Sequence, residues 1–260
     1  MTLQLIRLPV DLAELARIAG ERGWTGGRRQ HFDEGAALHH LLGETFGAGV
    51  LQPFRLRVAP RQRQGRLYAY TRHDSAELVE TATIAATPEV MTALSLQALE
   101  TKTMPNAWRA GQRIGFDVRL RPTVRLSSAI EAPSDRTGNR HHGFPKGAEI
   151  DAFLAEALRH PQRDTMMHQG RSREAVYRVW LAKRLGDAAD LEEARLVSAQ
   201  RVMAARGGKA REACDIVMHG TLSITDTQRF ADLLTRGIGR HRAYGYGMLL
   251  LSPPKAATGD

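Results

Sequence analysis

The residues most suited to chemistry lie near the end of the chain, in Gly237-Ile-Gly239-Arg240-His241-Arg242-Ala-Tyr-Gly245-Tyr-Gly247. Two Gly-x-Gly pairs flank five residues, three of them potentially basic. A dinucleotide-binding fingerprint follows a strand and opens a helix. Here the order is reversed, because apolar periodicity predicts a helix ending at Gly237 and a strand beginning at Met248. Gly237 then reads first as a helix C-terminal cap. Capping does not account for Gly245 and Gly247. Glycine lets backbone approach another backbone closely, and Arg240, His241 and Arg242 would meet phosphates at such a place.

A second candidate is His39, on a helix expected over residues 34–46. At about 3.6 residues per turn, Leu38, Leu41, Leu42, Thr45 and Phe46 share one face. His39 falls at the edge of that face and His40 points nearly opposite, to water. An imidazole at an edge is partly desolvated, positioned and still reachable, and it titrates near neutrality. Gly43, one turn on, leaves space beside it. The competing reading is a boundary histidine without chemistry.

A third group is basic. Arg201, Arg206, Lys209 and Arg211 surround Gly207-Gly208, which reads as the turn of a hairpin between strands at 195–206 and 211–219. Such a hairpin suits the groove of a nucleic acid, with Lys209 near its tip reaching a phosphate; the competing reading is a solvated hairpin. The helix expected at 172–184 carries Arg173, Arg178, Lys183 and Arg184, most simply as its wet face. His141, His142, His160 and His168 fall in expected loops. The sequence has no paired-cysteine site, no His-Glu-x-x-His and no tight carboxylate cluster, so neither a catalytic metal nor a cofactor is expected.

These groups need a scaffold, and 260 residues suit one large domain or two small ones. Strands are expected at 3–8, 54–58, 67–71, 113–120, 221–225 and 248–251. Helices are expected at 11–22, from about Ser75, at 149–159 and at 226–236, with an exposed loop over 130–147. The junction falls near Gly111, giving units 1–110 and 111–260, each with an order consistent with β-α-β-β-α-β. The 37 Lys and Arg against 28 Asp and Glu leave +9, which favours a polyanionic partner. Arg outnumbers Lys heavily, as bidentate phosphate contacts would favour. The lone Cys214 excludes a disulfide within the chain and fits a cytoplasmic setting. No apolar run suits a membrane span, and no signal peptide is evident at the start.

Taken together, these residues resemble the CasE family, the repeat-cutting ribonuclease of type I-E CRISPR systems. The resemblance is strongest from Ser198 to Pro253. It rests on His219-Gly-Thr-Leu-Ser-Ile-Thr-Asp226, on Leu233-Leu-Thr-Arg-Gly-Ile-Gly239 and on Ala243-Tyr-Gly-Tyr-Gly-Met-Leu-Leu-Leu-Ser-Pro253. Arg119-Leu-Arg-Pro122 is similar to the arginine-containing strand that opens the family's second domain. Leu38-His39 stands where the family carries a catalytic Leu-His pair, and Lys209 where it carries a hairpin lysine. The family often has a tyrosine three residues before the histidine; this chain has Ala36. It also carries extra sequence near 10–32 and 141–170.

The resemblance implies an α+β fold of two tandem ferredoxin-like (RRM-like) domains, with antiparallel sheets and helices on one face. It implies a metal-independent endoribonuclease that binds a CRISPR repeat stem-loop and cuts at its base. His39 would deprotonate the ribose 2′-hydroxyl or protonate the departing 5′-oxygen, and Lys209 would stabilise the phosphorane. The products would be a 2′,3′-cyclic phosphate and a 5′-hydroxyl. The crRNA would then stay bound within a type I-E-like Cascade complex, whose other subunits are the expected partners. The RNA-binding set is Arg201, Arg206, Arg211, Gly237, Gly239, Arg240, His241, Arg242, Gly245 and Gly247. The alternative is a catalytically inactive RNA-binding or structural subunit, a possibility that Ala36 keeps open.

Overall fold

The computed structural model describes residues 2–25, 32–130, 143–160, 171–206 and 209–254, with backbone only between 205 and 211. His141, His142, His168 and the Gly207-Gly208 turn lie outside the described residues, as do the side chains of Arg206, Lys209 and Arg211.

Ten strands and seven α-helices form two antiparallel four-stranded sheets and a small two-stranded one among the described residues. The first unit runs β1 (Gln4–Asp11), α1 (Leu12–Glu21), α2 (Glu34–Phe46), β2 (Phe54–Val58), β3 (Gln64–Thr71), α3 (Ser75–Ala85), α4 (Pro88–Ala93) and β4 (Glu100–Thr103). Its sheet order is β2-β3-β1-β4. The second runs β5 (Arg113–Leu120), β6 (Thr123–Arg125), β7 (Glu149–Asp151), α5 (Ala152–Arg159), α6 (Arg173–Leu185), β8 (Ala189–Arg206), β9 (Lys209–Ile224), α7 (Thr227–Arg236) and β10 (Leu249–Ser252). Its order, β10-β5-β9-β8, repeats the first pattern. The expected pair of ferredoxin-like units is therefore present, with β6 and β7 as a small addition.

The cores follow from the alternation of side chains along strands and the 3.6-residue period of helices. Ile6, Leu8 and Val10 of β1 meet Leu15 and Ile18 of α1 and Leu38, Leu41 and Phe46 of α2, all buried. In the second unit Ile114, Phe116, Val118 and Leu120 of β5 meet Tyr177 and Leu181 of α6 and Phe230 and Leu234 of α7. Each such side chain contributes about 1.5–3 kcal/mol when fully buried. The opposite sheet faces carry the contact between units. Tyr70, on β3, is buried in the second core, and its hydroxyl donates to the Leu249 carbonyl at 2.9 Å.

Two local expectations need correction, and one strand has no expected counterpart. The expected strands at 211–219 and 221–225 are one continuous strand, β9, because Gly220 is a packing site. A Cβ there would lie 2.0 Å from the Glu193 carbonyl oxygen. The expected helix at 149–159 begins as strand β7, and its N-cap is Asp151, whose carboxylate accepts from the Leu154 amide. β4 was not expected at all; its four residues, Glu-Thr-Lys-Thr, are all exposed and carry no apolar alternation.

Among the described residues no helix is long and apolar enough to cross a membrane.

Candidate active site

α2 fixes where His39 can stand. Asp33 caps its start by accepting from the Ala36 amide at 3.1 Å, and Gly47, with φ of 96°, ends it. Leu38, Leu41, Leu42 and Phe46 anchor the inner face, so His39 emerges half-buried at the rim and His40 is exposed. A shallow notch beside His39 is lined by Leu42, Gly43, Gly49, Gln52, Phe54 and Ala243. Burial pushes the His39 imidazole below its ordinary 6.5, and the neighbouring His40 pushes the same way. His39 is thus favoured in the neutral form that a general base requires.

The loop between α7 and β10 reaches across to α2. Tyr244 sits at the end of a single 3₁₀ turn, Arg242–Tyr244, between two left-handed residues, His241 (φ 65°) and Gly245 (φ 81°). Its ring lies 5.1 Å from that of His39, centroid to centroid, tilted by 50°. The row of rings continues through His40, 5.4 Å from His39, to Trp24, 5.2 Å from His40. Residue type and spacing alone do not mark Tyr244 as a site residue. Its signal was its place between the two glycine pairs.

The four glycines use their bareness inside the protein. A Cβ on Gly247 would lie 2.1 Å from the Ile238 carbonyl oxygen, and one on Gly237 would lie 3.0 Å from the Gly247 carbonyl oxygen. The Ile238 amide donates to Gly247 at 2.8 Å, and the Gly247 amide donates to Arg119 at 2.8 Å. Gly239 abuts Trp180, and Gly245 abuts Phe54. The backbone that these glycines let approach closely is this chain's own. The two pairs clasp each other and tie the loop to β5.

The basic residues divide into groups. Arg240 is exposed and ion-pairs with Glu149. Arg242 donates to the Arg236 carbonyl at 2.7 Å. His241 is half-buried and packs edge-on to Tyr246 at 6.5 Å. Arg201, on β8, pairs at 3.0 Å with Glu212 and keeps 75% of its side chain exposed. Exposed pairs of this kind are worth little and exchange readily. Backbone register sets Arg206 opposite Lys209, Ala205 opposite Ala210 and Ala204 opposite Arg211 on the long hairpin.

A second charged group forms around Arg119 of the Arg119-Leu-Arg-Pro122 stretch, with partners that the sequence does not indicate. β5 turns Asp117 and Arg119 to the face opposite its apolar residues. Arg119 holds buried Asp215 of β9 through a forked contact, 2.9 Å from Nε and 2.6 Å from the second nitrogen, and lies 3.8 Å from Glu34 at the start of α2. Burial alone would lower the Arg119 pKa, but Asp215 holds it above the ordinary value. Asp117 lies 3.4 Å from Arg55 and 3.1 Å from His219. Burial pushes the Arg55 guanidinium down to about 10 against the pull of Asp117. Between β2 and the second sheet lies a cleft of about 220 Å³, lined by Arg55, Arg57, Arg119, Ser198, Gln200 and Asp215. Arg57 stands directly opposite Arg66 in the β2–β3 register. Charges alternating with apolar residues in β5 are the available signal; their partners lie far away in sequence, 62 residues for Asp117 and Arg55 and 96 for Arg119 and Asp215.

A family model described as CRISPR associated protein matches residues 3–253. Over 81 residues the chain is 32% identical to the CRISPR system Cascade subunit CasE of Escherichia coli strain K12. That match covers 31% of this chain and 41% of the relative, so it spans less than half of the relative's length. Thermus thermophilus Cse3 bound to an RNA representing a pre-cleavage complex aligns with a TM-score of 0.61 at 16% identity, over 97% of this chain and 100% of that one. A CRISPR endoribonuclease Cse3 bound to a 19-nucleotide RNA gives 0.64 at 17% identity, over 97% and 100%. At these identities the structural likeness is one of fold.

Proposed function

The chain belongs to the CRISPR-associated protein family, and from that premise we propose that it is an endoribonuclease that processes CRISPR transcripts. It binds a repeat stem-loop, cuts at the base of the stem, and retains the crRNA in a type I-E-like Cascade complex in the cytoplasm. The observation that carries this reading is the half-buried, neutral-leaning imidazole of His39 at the rim where the glycine loop of the second unit meets the first unit. Relatives of this fold are described as a Cascade subunit, as an endoribonuclease bound to RNA and as a pre-cleavage complex with RNA.

The reaction needs three things from the protein. It must hold a ribose 2′-hydroxyl in line with the adjacent phosphorus, move a proton, and stabilise charge on the phosphorane. His39 moves the proton, from the 2′-hydroxyl or to the departing 5′-oxygen. Lys209, on the long hairpin, meets the phosphorane oxygens. Arg201, Arg206 and Arg211 of the hairpin hold the RNA backbone together with Arg240, His241 and Arg242, which stand on a loop whose shape Gly237, Gly239, Gly245 and Gly247 make possible. The nucleophile belongs to the RNA, so no metal is required and DNA is bound at most. The products are a 2′,3′-cyclic phosphate and a 5′-hydroxyl.

His39→Ala tests the assignment. Cleavage of a repeat-derived hairpin falls by about 10²–10⁴-fold, while hairpin binding, measured by gel shift, stays within a few-fold of the unaltered protein. Full cleavage by the variant overturns the role of His39. An unaltered protein that binds the hairpin and never cuts it supports instead a non-cleaving RNA-binding subunit.

A further inference from the structure

His39 has little on its own helix to hold its ring. One turn before it stands Ala36, buried and small; one turn after stands Gly43, where an added Cβ would meet nothing within 4 Å. A side chain flanked by small residues at i−3 and i+4 lacks the packing that normally selects one rotamer on a helix. Among the described residues, the His39 ring meets the rings of exposed His40 and of Tyr244.

Tyr244 is itself firmly placed. Its amide donates to the His241 carbonyl at 2.9 Å, closing the 3₁₀ turn, and left-handed residues bracket that turn on both sides. Its carbonyl oxygen stands over Gly35, where a Cβ would lie 2.4 Å away. The bare first turn of α2 therefore seats the tyrosine backbone directly, and the phenol ring follows along the helix rim to His39. Rings at this distance and tilt attract through their faces and edges, independently of the hydroxyl.

Resting on the endoribonuclease reading above, we propose that Tyr244 is a positioning residue for His39. Its ring, rather than its hydroxyl, holds the imidazole in one orientation and covers one side of it. The loop of the second unit thereby completes a reactive group carried by the first. An imidazole whose ring is free to turn spends less time aligned with the ribose oxygen, and a misplacement of about 1 Å can cost about 100-fold in rate.

The test combines kinetics with a titration that needs no RNA. Tyr244→Ala is expected to lower kcat for hairpin cleavage by about 10–100-fold with KM little changed. Tyr244→Phe restores kcat to within about 3-fold of the unaltered protein, a difference too small to be a lost proton-transfer group. In the free protein, NMR titration of His39 shows its pKa rising toward the ordinary value in Tyr244→Ala and holding in Tyr244→Phe. Tyr244→Gln, with comparable reach and no ring, replaces the alanine variant if that one does not fold. Unchanged kcat and unchanged His39 titration in the ring-less variant overturn the proposal. So does Tyr244→Phe losing as much rate as Tyr244→Ala, which assigns the effect to the hydroxyl. If the unaltered protein does not cleave RNA, the endoribonuclease reading fails, and the titration still decides whether Tyr244 holds His39.

Discussion

Gly35 and Tyr244 touch across the two units: an added Cβ on Gly35 would stand 2.4 Å from the Tyr244 carbonyl oxygen. Glycine within a helix normally costs about 1 kcal/mol relative to alanine. Its presence in the first turn of α2 is explained by the backbone that occupies the place of its side chain.

Gly35→Ala sets these effects against each other. The helix gains up to about 1 kcal/mol, while overpacking against a backbone carbonyl costs about 1–3 kcal/mol. The net expectation is a loss of about 1 kcal/mol, together with reduced hairpin cleavage because the loop lifts from α2. Urea unfolding and a cleavage time course check both parts. A more stable variant with full activity would show that the contact is easily relieved.

Asp215→Ala removes the carboxylate that holds Arg119. Asp215 keeps 3% of its side chain exposed and Arg119 keeps 20%. Breaking a buried pair costs about 3–5 kcal/mol. The low end, about 3 kcal/mol, is expected here because Arg119 retains some water and lies 3.8 Å from Glu34. Urea unfolding at neutral pH measures it; a loss below about 0.5 kcal/mol would place the pair with ordinary surface contacts.

Arg240→Ala and Arg242→Ala are expected to weaken hairpin binding and to lower the salt slope, log K against log salt, by about one each. Arg240 must first leave Glu149, an exposed partner, so its effect is expected to be the smaller. Binding measured at several salt concentrations checks this. Slopes identical to that of the unaltered protein would remove both residues from the RNA contact.

Much of the scaffold was legible from local pattern. The apolar face of α2 with Asp33 before it and Gly47 after it, the alternation in β5, and the helix–loop–strand order around the glycines each follow from interactions within a few residues. The β-α-β-β-α-β order in each half, joined to the family resemblance, carried the fold class. What escaped depended on distant partners. β4 shows no apolar alternation because its residues are exposed; it is a strand because it pairs with β1. β9 runs on through Gly220 because the neighbouring strand crowds that position. The glycine loop was found by its spacing, but the reason for its glycines lies in Ile238, Phe54, Trp180 and the loop's own backbone. Ala36 left His39 without the tyrosine that the family resemblance suggested. Local sequence gave no sign that Tyr244 would arrive beside it from the second unit.

The central claim is that this chain cuts RNA with the RNA's own 2′-hydroxyl, and end-group analysis of a repeat-derived hairpin incubated in EDTA tests it most directly. The account predicts a single cut at the base of the stem, a 2′,3′-cyclic phosphate on one fragment and a 5′-hydroxyl on the other. A 2′-deoxy substitution at the scissile nucleotide abolishes the cut. Cleavage that strictly requires magnesium, or that leaves a 3′-hydroxyl and a 5′-phosphate, contradicts it.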